Sequence, residues 1–295
     1  MAKQERRKIS AKEQQSKPLI PEKYQDWLYP GLIIVALFVF FAEAIFGGGF
    51  GAADNVASGS FKNFIEQSEN NGNFPLWVPY IFGGMPSYAS LLTSGDRIWD
   101  FLSEIIFGGT VLIGDIFNSD VARIVTFYAI YGIGVYFLMR IKEHERFVSF
   151  FAAFAAVFST TIIIWVMIGH NTKPVVFSMV PWVFIFMEQL REKFSLLFAI
   201  LLIIVVHLMM EAGHIQMIFY SALAFGIYLI MELISRWISK REPLSVAKVM
   251  GIMVVAGAMA FVLSSDRYLA TLEYTDYSTR GSAPIVQSAD DKRTE

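Results

Sequence analysis

The chain has 295 residues, 55% hydrophobic, 15% aromatic and 17% charged, with a formal net charge of −2 and a mean hydropathy of +0.50. An ordinary soluble domain carries about 25% charged residues, so this composition points to an integral membrane protein. Cysteine is absent, which excludes a disulfide framework and a thiolate metal site.

In chain order, residues 1–28 form a basic segment expected to be cytoplasmic, followed by the apolar run Pro30–Phe46, read as an uncleaved signal-anchor helix. Apolar runs predict spans at 30–47, 121–140, 147–169, 174–190, 194–211, 215–235 and 246–264, by the rule that about 18 or more apolar residues cross a bilayer. The expected fold is an all-α, polytopic bundle of about seven spans over 29–264, with an outer C-terminal segment at 265–295. Lys and Arg cluster in alternate connections, which predicts an inner-membrane protein with its N-terminus inside. The long outer loop 48–120 has Ile98, Phe101, Leu102, Ile105 and Ile106 at helical spacing, the pattern of an interfacial helix over 97–107.

The polar residues near the predicted outer boundary carry the candidate chemistry. Asp54 follows a glycine-rich turn after the first run and could act as a general base or bind a divalent ion. His170 and Lys173, in Gly169-His170-Asn171-Thr172-Lys173, precede Pro174 at a helix start, a combination suited to an anion such as phosphate. A second tip holds Glu211, His214 and Gln216, with His207 one turn before Glu211. That His–Glu pair reads as a clamp between helices or as part of a proton or metal site, although the spacing matches no compact metal motif. Arg280, ahead of Gly281, could fork onto a carboxylate or phosphate.

Four segments resemble the YfhO family of bacterial membrane proteins: Trp77-Val78-Pro79-Tyr80-Ile81-Phe82-Gly83-Gly84-Met85-Pro86, the Gly-His-Asn-Thr-Lys tip, the Gly-His-Ile-Gln tip, and Tyr277-Ser278-Thr279-Arg280-Gly281. The resemblance spans about residues 25–285 and implies a fold like the GT-C glycosyltransferases, which take lipid-phosphate-linked sugars on the outer side. It implies Asp54 as catalytic base, His170, Lys173 and Arg280 as ligands of the departing phosphate, and His214 and Gln216 as donor-binding groups. The implied partners are a polyprenyl-phosphate sugar donor, an envelope glycan or polymer acceptor and membrane lipids, with no nucleic acid. No cofactor is fixed, and a divalent cation is left open. Members of the family are usually longer, so a fragment is expected. A flippase of lipid-linked glycan and a non-catalytic envelope-assembly protein are the alternatives.

Overall fold

The computed structural model describes residues 20–52, 55–56, 60–73, 75–80, 83–87, 100–278 and 281. α1 (Glu22–Phe40) and α2 (Ala42–Phe46) lead to α3 (Lys62–Asn70) and a two-stranded antiparallel ribbon, β1 (Trp77–Val78) with β2 (Met85–Pro86). In the ribbon Trp77 faces Pro86 and Val78 faces Met85. Gly84 holds φ +115 beneath the Trp77 ring, where a Cβ would come within 2.5 Å of it, so both conformation and space require glycine.

α4 (Phe101–Phe117) and α5 (Asp120–Ile141) follow, joined at Asn118, which holds the left-handed conformation at φ +47. The side chain of Asp100 caps α4 by accepting from the Ser103 amide at 3.4 Å. Ser119 caps α5 through the Ala122 amide at 3.3 Å. Next come α6 (Arg146–Val157), α7 (Thr160–Met167), α8 (Thr172–Glu192) and α9 (Leu196–Glu211). α10 (Ile215–Ile238), α11 (Pro243–Leu263) and α12 (Ser265–Thr275) complete the order.

α5 is the central element, with α1, α4, α6 and α8 packed on it. Two glycines permit this crowding. A Cβ on Gly132 would lie 2.9 Å from Ile33, and one on Gly134 would lie 2.6 Å from Pro181. The buried apolar side chains form two clusters, one among α1, α2, α5, α6 and α7, the other among α8, α9, α10 and α11 with Phe127 of α5. Ile33, Leu37 and Leu202 are fully excluded from solvent, each contributing about 1.5–3 kcal/mol by removal from water. Tyr128 donates to the Ile162 carbonyl at 2.6 Å and Trp182 to the Ile130 carbonyl at 3.2 Å, fixing α7 and α8 against α5.

Two ionic networks tie the helix ends. Asp26 accepts from Tyr136 at 2.7 Å and from Arg146 at 3.1 Å. Burial works to raise the Asp26 pKa, but these hydrogen bonds and the two arginine charges prevail and hold it below the ordinary value. Glu188 is 2% exposed and takes Lys142 at 2.8 Å, together with Arg191 and the Tyr228 hydroxyl. Arg191 and Arg236 in turn converge on Glu232 at 2.5 and 2.7 Å.

This architecture corrects the seven-span, GT-C-like bundle. Among the described residues three helices, α5, α10 and α11, are long and apolar enough to cross a membrane, or four if the bent pair α6–α7 counts as one span. The run 147–169 breaks by 43° at Phe158–Ser159, just before Thr160 and Thr161. Ser and Thr side chains there offer the backbone alternatives to the helix ladder. α9 has only 16 residues, short of the about 20 a bilayer needs. α8 carries Lys173, Glu188, Arg191 and Glu192, two of them engaged in the ionic networks. The helix expected to lie in an interface over 97–107 instead runs from Phe101 to Phe117 and packs on α5 and α9. The multi-pass inner-membrane placement with its N-terminus inside is corrected with it, because the alternation of charge was counted over seven crossings.

Candidate metal centre

α9 is almost wholly apolar, and its two polar side chains, His207 and Glu211, are spaced by four and so share one face. Two elements meet that face. The start of α4 brings Asp100, and the junction of α11 with α12 brings Ser264. His207 Nε2 lies 2.8 Å from Asp100 Oδ1, and His207 Nδ1 lies 3.0 Å from Ser264 Oγ. One ligand atom from each of Asp100, His207 and Glu211 lies within 4.8 Å of the others. The cluster is removed from solvent: His207 is 4% exposed, Asp100 6%, Glu211 8% and Ser264 0%.

α12 closes the site from the other side. Tyr268 donates to the Met210 carbonyl at 2.8 Å, and the Arg267 guanidinium donates to the Glu211 carbonyl, so the last turn of α9 is capped by side chains. Gly213, at φ +71, lets the chain leave α9 beneath that guanidinium, which a Cβ there would approach to 3.1 Å.

The two ring nitrogens of His207 constrain each other. With Nε2–H donating to Asp100, Nδ1 is the acceptor and the Ser264 hydroxyl donates to it. With Nδ1–H donating to Ser264, the Nε2 lone pair faces a carboxylate oxygen, and the two acceptors require a proton or a metal cation between them. The arrangement therefore has the capacity to hold a cation or to move a proton. Ligands about 2.1 Å from an ion are about 3.0 Å apart in cis octahedral geometry and about 3.4 Å apart in tetrahedral geometry, and His207 Nε2 and Asp100 Oδ1 are already 2.8 Å apart. With one imidazole and two carboxylates, the residues fit a divalent transition ion better than a soft one.

The residues singled out from sequence fall differently. Asp54 and Arg280 lie outside the described residues. His170 and Lys173 are adjacent, Nζ to Nδ1 at 2.5 Å. Burial lowers the His214 pKa, and positive charge on the 169–173 tip adds to the effect. His214 also caps α10, its Nδ1 accepting from the Met217 amide at 3.3 Å. Gln216 turns along its own helix to the Tyr220 hydroxyl at 3.0 Å.

The His207–Glu211 pair was visible as a helix-face pairing, but Asp100 and Ser264 were not. Asp100 falls within the 97–107 segment, whose helical spacing gives it no partner on α9. Its contact with His207 joins positions 107 apart, which no local pattern encodes. The only sequence signal was an acidic cap residue before an apolar helix.

No family model, curated protein or solved structure matches this chain. The YfhO resemblance and the GT-C-type glycosyltransferase acting on a polyprenyl-phosphate sugar are therefore corrected: what the molecule presents instead is the buried Asp100–His207–Glu211 cluster.

Proposed function

We propose that the protein binds a divalent transition-metal ion of the zinc class through Asp100, His207 and Glu211. The observation that carries this reading is the convergence of three buried ligand-type groups from two helices onto one point, within 4.8 Å. Buried ionisable groups are costly unless paired or used to hold a metal. Ser264 serves as the outer partner, accepting from Nδ1–H so that the Nε2 lone pair is directed inward. Three protein ligands leave a coordination position for water or substrate, and a bound ion of this kind would polarise that group as a Lewis acid. Protons compete with the ion for the Nε2 lone pair and the carboxylates, so binding weakens as pH falls.

A second reading has a specific basis: Ser264, His207 and Asp100 form an unbroken Ser–His–Asp chain at 3.0 and 2.8 Å. A nucleophile must reach substrate, and complete burial of Ser264 favours its orienting role over that one. Isothermal titration of the intact protein with Zn²⁺ and Mn²⁺ separates the two. The metal reading expects one saturable site that is lost in His207→Ala and Glu211→Gln, and weakened about 10–100-fold in Ser264→Ala. Unchanged titration in all three folded variants would overturn it.

A further inference from the structure

A cavity of about 510 Å³ lies apart from the metal centre, where the glycine turn after α2, the start of α5 and the 169–173 tip meet. That volume is in the range of small-molecule sites. Its lining includes Gly49, Asn55, Asn118, Asp120, Arg123 and Asn171. Gly49 holds φ +86, and its amide is tied to the Ala44 carbonyl at 2.9 Å, so backbone without a side chain forms one wall. Across from it, Asn118 is held in the left-handed conformation between α4 and α5.

The polar groups in this cavity make complementary demands. Among the described residues Arg123 has no ion pair and no side-chain hydrogen bond, which leaves a forked donor suited to a carboxylate or phosphate. Asn171 is fixed by donating its Nδ2 to Asn55 Oδ1 at 2.9 Å, and this turns its Oδ1 to a buried position with no hydrogen-bond partner. A buried acceptor left unmade costs about 1–3 kcal/mol, so a donor is called for there. Asp120 adds a carboxylate at the rim, three positions before Arg123 and on the same side of α5. An anion alone would be repelled by Asp120, and a simple cation by Arg123.

We propose that this cavity binds a small zwitterion carrying both an ammonium group and an oxyanion. The oxyanion takes the Arg123 guanidinium, while the ammonium donates to the Asp120 carboxylate. An amino acid and a phosphoethanolamine group share this chemistry, one free in solution and the other also available as a lipid headgroup. The site uses none of the metal ligands, so its failure leaves the metal reading untouched.

The test is equilibrium binding to the intact protein with five probes: glycine, phosphoethanolamine, ethanolamine, inorganic phosphate, and vesicles containing phosphatidylethanolamine. Glycine or phosphoethanolamine should bind at least tenfold more tightly than ethanolamine or phosphate. Preference for the vesicles over both soluble zwitterions would assign the lipid source, and the reverse the free one. Arg123→Gln should remove binding, and circular dichroism establishes that the variant is folded. Asp120→Asn, at an exposed position, should cost the zwitterion about tenfold while leaving phosphate unaffected or improved. Equal binding of phosphate and the zwitterions, binding unchanged in Arg123→Gln, or no saturable binding of any probe would each overturn the proposal.

Discussion

His207 shows how one side chain can be over-determined. Both ring nitrogens are engaged within 3.0 Å, and a carboxylate one turn further along α9 completes a ring of acceptors. Saturating Zn²⁺ should therefore stabilise the folded state by about 3 kcal/mol at a hundredfold excess over the dissociation constant, and chemical denaturation should show no such gain in His207→Ala. His214 makes a separate residue-scale prediction. Its folded-state pKa lies below the ordinary 6.5, so the unfolded chain takes up the proton first as pH falls. The contribution of His214 is then fully present above pH 6.5 and is lost as pH falls through the depressed value. Unfolding free energies measured from pH 7.5 to 5.5 should fall less steeply in His214→Gln than in the parent protein.

At the scale of elements, the decisive feature is close approach to α5. Gly134 faces Pro181 and the Trp182 ring nitrogen, and a Cβ would come within 2.6 and 2.8 Å of them. Gly134→Val should destabilise the fold by about 3 kcal/mol through overpacking, read as a lower denaturation midpoint. Much of the element layout was legible: the apolar runs 121–140, 215–235 and 246–264 are the helices Asp120–Ile141, Ile215–Ile238 and Pro243–Leu263. The misreadings have a common cause. Hydrophobic run length reports burial without saying what covers the run, so α9, much of whose apolar surface is covered by α8 and α11, reads like a helix facing lipid. The bend between α6 and α7 was written in Ser159-Thr160-Thr161, but the apolar residues on both sides masked it.

Across the whole molecule, ionic networks at the helix ends join elements far apart in sequence. Glu188 is buried and serves Arg191 on its own helix together with Lys142 and Tyr228 from two other places in the chain. Removing it leaves partly buried cations uncompensated, so Glu188→Leu should cost about 3 kcal/mol in urea unfolding. In the sequence Glu188 is a single carboxylate near the end of the apolar run 174–190. Its role depends on α5 and α10 arriving beside α8, which is a property of the assembled fold. The metal centre has the same character: two of its three ligands, His207 and Glu211, lie on one helix face, and the third, Asp100, arrives from the start of α4.

Whether Asp100, His207 and Glu211 hold a divalent ion can be read from X-ray absorption at the zinc edge on the intact, zinc-loaded protein. Oxygen and nitrogen neighbours at about 2.0–2.1 Å are expected with the outer-shell pattern of a single imidazole, and that imidazole signal should be lost in His207→Ala. A zinc spectrum without imidazole, or one unchanged by His207→Ala, would contradict this coordination.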